Sequence, residues 1–261
     1  MTSLGLFTGE RALVTGSASN IGRGIALALA REGAGVILAD VDMERNAAVA
    51  REIGSAGGAA ETITVDLSQP GGWREVMEAV EGRPPQMFVH AACPRRLEAD
   101  TPAKVSEETW DEMLNTNVRS GFFVGRELGL RMQKAGVRGR LLFITSLHAD
   151  APRNLAHYSA AKAGMTMAMK ELARAFGPSS IRVNALAPGA VPGGGASNMD
   201  DSFQPKRKIP LQRFGTPEDM AGMAIALLSD RFSGYVTGVT LPVDGGLALF
   251  NWIDMPGQEQ A

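Results

Sequence analysis

Residues 12–28 read ALVTGSASNIGRGIALA, and the architecture of the whole chain follows from this stretch. Residues 12–15 have the composition of a short strand, and an apolar helical pattern opens at Ile21. Between them, Gly16 permits a tight turn and Gly22 lets the helix approach the strand closely. The start of such a helix offers unpaired N–H groups and about half a positive charge. The stretch therefore predicts a strand–turn–helix unit that binds the pyrophosphate of a dinucleotide.

The rest of the chain repeats this alternation of short β-rich runs and longer helical patterns. Many of the runs are almost wholly apolar, as parallel strands are when helices cover both faces of a sheet. We therefore expect an α/β fold, a single-domain doubly wound (Rossmann) seven-stranded parallel sheet with helices on both faces. The predicted strands are residues 12–15, 36–40, 62–66, 87–91, 140–145, 182–187 and 239–243.

No linker or internal repeat divides the chain, so residues 1–261 are predicted to form one dinucleotide-binding and catalytic domain. The least regular stretch, at about residues 189–213, is expected to be a mobile substrate loop, because long patternless segments are often functional lids.

Bulk composition excludes several classes of partner. The formal net charge of -2 provides no basic field for nucleic acid or for an anionic membrane. No apolar run reaches the roughly 20 residues that a membrane-spanning helix needs. Cys93 is the single cysteine, and the first residues lack the pattern of a secretory signal. We expect a cytoplasmic protein that acts on a small molecule, with no nucleic-acid or membrane partner.

Asp40 indicates which dinucleotide the turn would bind. It closes the second predicted strand 18 residues after Gly22, near the spacing of about 20 at which an acid accepts hydrogen bonds from the adenosine ribose. A 2′-phosphate at about 4 Å would be repelled by roughly 4 kcal/mol per unit charge at an effective dielectric near 20. NAD is therefore favoured, although Arg23 and Arg45 are close enough in sequence to leave NADP open.

Tyr158 and Lys162 stand one helical turn apart, and this spacing indicates proton-transfer chemistry. Side chains at i and i+4 leave a helix on one face, with Cβ atoms roughly 5–6 Å apart. A lysine cation at about 4 Å from a phenol oxygen would stabilise the phenolate by roughly 4 kcal/mol. Tyr158 could then take the proton of an alcohol while hydride passes to nicotinamide, with Ser146 donating to the reacting oxygen. An isolated pair of this kind is more typical of an ordinary helix, with a half-buried tyrosine and a solvated lysine, and its order after the turn and Ser146 is what favours catalysis.

Five features in this order resemble the classical branch of the short-chain dehydrogenase/reductase family over essentially the whole chain. They are the turn at residues 15–22, Asn117, Ser146, Tyr158 with Lys162, and Pro188-Gly189. The resemblance implies that Tyr158 is the general acid/base, that Lys162 holds the nicotinamide ribose, that Ser146 steadies the reacting oxygen and that Asn117 helps to anchor a water relay. It also implies a homotetramer with contacts through helices at 112–134 and 158–176 and through the last strand.

The expected cofactor contacts follow the same pattern, and no metal site is expected. They are Gly16, Ser19, Asn20, Ile21, Gly22, Asp40, Asp66, Leu67, Ala91, Ala92, Tyr158, Lys162, Pro188, Gly189 and Val191. Hydroxyl groups of Ser17 and Ser19 are expected to add donors to the turn.

The sequence departs from the family pattern at four places. Asn20 replaces a glycine of the turn, and asparagine tolerates left-handed backbone better than most residues. His90 begins a His-Ala-Ala-Cys run where relatives carry Asn-Asn-Ala-Gly, and a histidine that supplies a substitute hydrogen bond is favoured over a catalytic one. The segment before Tyr158 is one residue short, which leaves Thr145 as an alternative to Ser146. After Pro188-Gly189 the usual threonine is absent, and backbone groups of Val191 would serve instead.

Substrate identity rests on weaker signals. Arg95, Arg96 and Arg153 flank the predicted cleft, and Lys206-Arg207-Lys208 lies in the predicted loop. These cations could recognise a carboxylate or a phosphate, but charge runs are usually solvated.

His148 and His157, together with the tail after Asp244-Gly245-Gly246, are similar to the glucose 1-dehydrogenase-like sugar and polyol members of the family. The expected substrate is a sugar, a polyol or another small polar hydroxy compound. An NADPH-dependent 3-oxoacyl-thioester reductase and a catalytically silent dinucleotide-binding protein remain open as alternatives.

Overall fold

One parallel sheet of seven strands runs through the protein, in the spatial order β3-β2-β1-β4-β5-β6-β7. The computed structural model describes residues 3–193 and 203–249. The strands are β1 (Arg11–Thr15), β2 (Gly35–Asp40), β3 (Ala60–Thr64), β4 (Met87–His90), β5 (Arg140–Ile144), β6 (Arg182–Pro188) and β7 (Thr240–Val243). The predicted fold class is confirmed, and each of the seven predicted strands is present.

Helices connect consecutive strands and lie on both faces of the sheet. They are α1 (Asn20–Arg31), α2 (Met43–Ser55), α3 (Gly72–Ala79), α4 (Glu107–Leu114), α5 (Ser120–Lys134), α6 (Ala156–Phe176), α7 (Pro205–Lys208), α8 (Pro217–Leu228) and α9 (Asp230–Ser233). Short 3₁₀ turns occupy Leu147–Ala149 and Gly177–Ser179, and a π-helical turn at Asn115–Arg119 joins α4 to α5. In the described ranges, no helix is both long and apolar enough to cross a membrane.

Two hydrophobic cores sandwich the sheet because neighbouring residues of a strand point to opposite faces. Leu13 packs with Leu128 of α5 and Met165 of α6, in a core that α3 also covers. Val14 packs with Ile25 of α1 and Leu228 of α8 on the opposite face, which α2 completes. Each large apolar side chain that is fully buried contributes about 1.5–3 kcal/mol, so both faces stabilise the sheet.

The strand order places a crevice where it can hold a ligand. The chain builds outward from β1 in one direction through β2 and β3, then returns to β1 and continues through β4 in the other direction. In such sheets ligands bind beyond the carboxyl ends of the strands, at the point where the order reverses. That point lies between β1 and β4 in this protein.

Three local predictions differ from the structure. β3 covers residues 60–64 rather than 62–66, because Asp66 turns the chain by accepting hydrogen bonds from the backbone and hydroxyl groups of Ser68 at 2.9 and 2.7 Å. The predicted loop at 189–213 contains α7, while its residues 194–202 lie outside the described ranges. The helix expected at 112–134 is interrupted by the π-helical turn, whose Thr116 carbonyl accepts hydrogen bonds from Ser120 and His90.

Candidate active site

The turn after β1 brings the backbone of two strands and a helix into close contact. Gly16 adopts a φ of 69°, and a Cβ atom there would lie 2.6 Å from the backbone nitrogen of Ala92. A Cβ atom at Gly22 would overlap the carbonyl oxygen of Gly16. Asn20 adopts a φ of 44°, which confirms that asparagine takes the left-handed conformation of the missing glycine. Both glycines are therefore needed to keep this turn compact.

The N-terminus of α1 opens from this turn and has no acidic side chain in its first turn. It can therefore attract an anion through its unpaired N–H groups. Ser19 lies on the wall of the adjoining cavity. The expectation that Ser17 adds a donor is wrong, because Ser17 is buried and its hydroxyl donates to Asn46 Oδ1 at 2.8 Å.

A cavity of about 540 Å³ lies at the carboxyl ends of the central strands. A smaller cavity of about 120 Å³ adjoins it, and Gly16, Asp40, Cys93 and Pro94 line both. All the expected cofactor contacts lie on these walls. The larger cavity is lined by Gly16, Ser19, Asn20, Ile21, Gly22, Asp40, Ala91, Tyr158, Lys162, Pro188, Gly189 and Val191, and the smaller one by Asp66, Leu67 and Ala92.

Asp40 is held at the end of β2 by two backbone amides. Its Oδ2 accepts a hydrogen bond from Ala18 N at 2.9 Å, and its Oδ1 accepts one from Asp42 N at 3.0 Å. Arg23 pairs with Glu52, and Arg45 lies 3.3 Å from Asp42. The two cations that left NADP open are thus already engaged with carboxylates.

Tyr158 and Lys162 meet on the cavity wall, as their spacing in α6 predicts. Tyr158 is only 5% exposed, and Lys162 Nζ lies 5.6 Å from the centre of its ring. The ammonium also donates a hydrogen bond to the carbonyl oxygen of Ile144 at 2.9 Å, which fixes its position at the end of β5. The positive charge of Lys162 is thus held beside the Tyr158 side chain, and both residues line the same cavity. The pair can therefore exchange a proton with a ligand in the cavity.

Two hydroxyl groups follow β5, and they make different contacts. Thr145 donates to the carbonyl oxygen of Leu186 at 2.9 Å, which commits its hydrogen to the neighbouring strand. Ser146 Oγ accepts a hydrogen bond from His148 N at 3.2 Å. A hydroxyl group that accepts in this way retains its own hydrogen for donation. Ser146 is therefore better placed than Thr145 to donate to a ligand.

Asn117 lies in the π-helical turn behind the cavity. Its Nδ2 donates to the carbonyl oxygen of Met113 at 2.9 Å. Its Oδ1 is buried and accepts no hydrogen bond from the described part of the chain. Single π-helical turns are often found beside functional sites. The structure does not bring the Asn117 side chain onto either cavity wall.

His90 supplies the substitute hydrogen bonds expected of it, which confirms its structural interpretation. It is fully buried, with Nδ1 2.8 Å from Thr15 Oγ1 and Nε2 3.1 Å from the carbonyl oxygen of Thr116. Because a carbonyl oxygen only accepts, Nε2 carries the proton and Nδ1 accepts from the threonine. Burial, with a smaller effect of the Lys162 charge, lowers the pKa of His90 to about 3. The ring is therefore neutral and ties β1, β4 and the π-helical turn together.

The charged groups expected around the cleft fall into two sets. Arg96 and Arg153 line the larger cavity, and Arg153 Nη2 lies 2.6 Å from Glu98 Oε1. Arg95, by contrast, is exposed and is not on the wall.

His148 and His157 also differ in whether they line the larger cavity. The His148 ring lines the larger cavity, and its centre lies 6.4 Å from that of Tyr158. Its Nδ1 lies 3.1 Å from the carbonyl oxygen of Ala151, so this atom donates, and burial lowers the pKa of the ring. His157 is buried beside Tyr158 in sequence but is not on the wall.

Sequence reasoning missed Phe203 and Leu247, which also line the larger cavity. Phe203 stacks on Phe214 with ring centres 5.8 Å apart. Neither residue has a charge or lies in a motif. The only available signal was that Leu247 comes directly after the Gly245-Gly246 pair.

Comparisons with known proteins show what the chain is similar to. A family model described as "Enoyl-(Acyl carrier protein) reductase" matches residues 16–248. Glucose 1-dehydrogenase 2 of Bacillus subtilis (strain 168) is 35% identical over 256 residues, which cover 93% of this chain and 96% of the relative.

Two solved structures are similar over nearly the whole chain. A short-chain type dehydrogenase/reductase from Mycobacterium marinum has a TM-score of 0.82 at 30% identity, covering 92% of this chain and 96% of the other. A gluconate 5-dehydrogenase from Burkholderia cenocepacia J2315, in complex with NADP and tartrate, has a TM-score of 0.85 at 28% identity, covering 94% and 97%.

Proposed function

Because the chain belongs to the short-chain dehydrogenase/reductase family, we propose that it interconverts a secondary alcohol and a ketone of a small polar hydroxy compound, with NAD(H) as its preferred coenzyme. The protein is an oxidoreductase that acts on CH–OH groups with a nicotinamide dinucleotide. The observation that carries the proposed site is that Tyr158, Lys162 and Ser146 line the same cavity as the Gly16 turn. The similarity to glucose 1-dehydrogenase 2 supports a sugar or polyol as substrate.

The residues at the turn fit a dinucleotide. Side chains at Gly16 and Gly22 would collide with backbone atoms, so the backbone itself faces the cavity and can approach a pyrophosphate. Asp40 would hold the adenosine ribose, Lys162 the nicotinamide ribose, and the backbone of Val191 the carboxamide. When bound, the coenzyme supplies the nicotinamide ring that accepts or donates the hydride.

The chain's own residues would move the proton. In the direction of oxidation, Tyr158 as phenolate takes the hydroxyl proton of the alcohol, and the carbinol C–H bond breaks as the C=O bond forms. Ser146 donates a hydrogen bond to the same oxygen and stabilises its developing charge. Lys162 stabilises the phenolate before the proton arrives. In the direction of reduction, Tyr158 returns the proton to the oxygen of the ketone.

The preference for NAD over NADP rests on charge. The Asp40 carboxylate lies on the cavity wall, and Arg23 and Arg45 are paired with acidic residues. A 2′-phosphate there would meet repulsion without an available cation from these two residues. The similar structure from Burkholderia cenocepacia carries NADP, so our proposal is that this chain differs from it in coenzyme preference.

The second candidate function is reduction of a 3-oxoacyl thioester with NADPH. The description of the matching family model, an enoyl-acyl-carrier-protein reductase, favours an acyl substrate. This function would require a preference for NADPH over NADH. A catalytically silent dinucleotide-binding protein is the remaining alternative, and it requires binding without turnover.

An activity assay on a panel of sugars, polyols, hydroxy acids and acyl thioesters with both coenzymes distinguishes these three hypotheses. We expect turnover of a member of the first three groups with NAD(H). Tyr158→Phe should lower it by about 10²–10⁴-fold, because the acid/base group is lost. Tyr235 is the other of the two tyrosines and is fully exposed, so Tyr235→Phe is a matched control that should keep activity.

Coenzyme binding, followed by NADH fluorescence, should persist in the Tyr158→Phe variant. Full turnover by this variant would contradict the assignment of Tyr158. Preferred turnover of a thioester with NADPH would favour the second candidate. Binding of dinucleotide by the wild-type protein without turnover of any panel member would favour the silent reading.

We also propose an oligomeric state and a cellular compartment for the protein. We propose a homotetramer, since Leu130 of α5 and Met167 of α6 are 46% and 57% exposed on the helices expected to form contacts. Light scattering should give four times the chain mass of 27.5 kDa, and a monomeric mass would refute this. The lone Cys93 suits a reducing compartment, so we propose the cytoplasm.

A further inference from the structure

Arg96 lies directly over the ring of Tyr158. Its Cζ atom is 4.4 Å from the ring centre, within the range of a cation–π interaction. The side chain is half-buried and forms part of the wall of the larger cavity. A single small molecule whose oxygen contacts Tyr158 would therefore also be within reach of this guanidinium.

Among the residues that the structure describes, Arg96 has no acidic side chain paired with its charge. The other arginine on this wall, Arg153, forms an ion pair with Glu98 at 2.6 Å. Burying part of an unpaired cation is unfavourable unless an anion compensates it. The arrangement therefore favours a ligand that brings one negative charge.

The guanidinium fork identifies the kind of anion. Its N–H groups match the two oxygens of a carboxylate, and such bidentate contacts are both strong and directional. Arg153 is already paired with Glu98, and Lys162 Nζ is held by the Ile144 carbonyl, so Arg96 offers its fork to a carboxylate on this wall. The stacked position on Tyr158 also places the anion next to the carbon that reacts.

We propose that the substrate is a hydroxy acid whose carboxylate lies beside the reacting carbinol, and that Arg96 binds this carboxylate. This inference rests on the proposed function and narrows it from small polar hydroxy compounds to acids such as aldonates. Arg96 is then a specificity-determining residue, which distinguishes an acid from its neutral counterpart.

Matched pairs of acid and neutral alcohol test the inference. D-gluconate with D-glucitol, and lactate with propane-1,2-diol, differ mainly in the replacement of a carboxylate by a hydroxymethyl group. We expect wild-type kcat/KM to favour the acid of an accepted pair. Arg96→Gln should lower the acid-to-neutral ratio by about 10- to 100-fold, as expected for the loss of hydrogen bonds to a charged group. The ratio for Arg96→Lys should lie between those of the wild type and Arg96→Gln, because lysine keeps the charge but lacks the guanidinium fork.

The ratio separates recognition from effects on the catalyst. Any influence of Arg96 on Tyr158 changes both members of a pair equally, whereas loss of a carboxylate contact affects only the acid. Arg95→Gln is the matched control, because it removes the same charge from the neighbouring exposed residue and should leave the ratio intact. An equal loss for acid and neutral alcohol in Arg96→Gln, or a wild-type preference for the neutral member, would overturn the inference.

A binding measurement keeps this test independent of turnover. Quenching of bound NADH fluorescence by D-gluconate and by D-glucitol reports the ternary complex directly. Selective binding of gluconate that Arg96→Gln abolishes would support the inference even if the proposed reaction failed. Turnover of neutral polyols without any selectivity for acids would leave the proposed function standing and would reject the role of Arg96.

Discussion

The Nε2 atom of His90 lies 3.1 Å from the carbonyl oxygen of Thr116, so the end of β4 is tied to the π-helical turn between α4 and α5. The other ring nitrogen accepts from Thr15 at the end of β1. One neutral side chain thus joins three elements behind the cavity. The family pattern that the sequence resembles has asparagine at this position. Histidine makes the joining hydrogen bonds in this chain, and unlike asparagine it can be protonated.

That titratable ring predicts a pH dependence of stability. The pKa of His90 is about 3 in the folded chain and about 6.5 when unfolded. As the pH falls below 6.5, His90 binds a proton in the unfolded chain but not in the folded chain, so the free energy of unfolding decreases. The loss should be about 2 kcal/mol between pH 6.5 and pH 5. Above pH 6.5 the residue has no such effect.

Urea unfolding of wild type and His90→Asn between pH 7.5 and pH 5 measures this loss. The stability advantage of the wild type should shrink across the window by the amount that His90 contributes. His90→Gln provides a second neutral amide with a longer reach. Parallel pH profiles for wild type and both variants would contradict the burial of a neutral His90.

Gly121 predicts a contrast between two glycine substitutions. A Cβ atom at Gly121 of α5 would lie 2.7 Å from His90 Cδ2, whereas one at Gly222 of α8 would have nothing within 4 Å. Gly121→Ala should therefore lower the free energy of unfolding by about 1–3 kcal/mol through overpacking. Gly222→Ala should raise it by about 0.5–1 kcal/mol, because alanine favours the helix. Chemical denaturation compares the two, and equal stabilisation would show that His90 does not pack against α5 as described.

The two hydroxyl groups after β5 predict opposite defects. Ser146→Ala should lower kcat by about 10²–10³-fold, because a donor to the reacting oxygen is lost, and should lower the free energy of unfolding by only about 0.5–1 kcal/mol through loss of the cap on the His148 amide. Thr145→Val should instead lower the free energy of unfolding by about 0.5–1.5 kcal/mol, because one of two hydrogen bonds to the Leu186 carbonyl is lost while the backbone N–H of residue 145 keeps the other at 2.7 Å. Steady-state kinetics and urea unfolding on both variants separate the roles. The reverse pattern would assign the catalytic hydroxyl to Thr145.

Asp40→Asn predicts a change of coenzyme preference. The substitution keeps the shape of the side chain and removes the charge that would repel a 2′-phosphate. The ratio of kcat/KM for NAD to that for NADP should fall at least about tenfold, a shift well within the roughly 4 kcal/mol of repulsion per unit charge. Each variant is its own control, because both coenzymes are measured on one preparation. An unchanged ratio would mean that Asp40 does not face the ribose.

The sequence predicted the repeating features of the fold because local rules determine them. Apolar runs bounded by turns located all seven strands, and the spacing of Tyr158 and Lys162 brought both onto one wall. The rules failed where a side chain overrides the local pattern. Asp66 ended β3 early by accepting hydrogen bonds from Ser68, and Ser17 turned inward to Asn46. Such contacts depend on residues brought together by folding.

The position of Arg96 illustrates the same limit at the site. Its sequence neighbourhood contains two adjacent arginines, and no local rule distinguishes the one that stacks on Tyr158 from the exposed one. Phe203 and Leu247 reach the cavity from distant loops. The chemistry of the site could be anticipated from spacing, whereas the shape of the substrate pocket could not, because loops from several parts of the chain form it.

The number of residues in the π-helical turn at Asn115–Arg119 sets which face of α5 points to the core. Each residue of an α-helix advances the chain by about 100° around the axis. Deleting a single residue here would swing Val124, Leu128 and Met132 away from the core that they fill. An insertion would do the same in the opposite sense. A deletion or an insertion in this segment is therefore expected to disrupt the packing of α5 along its length.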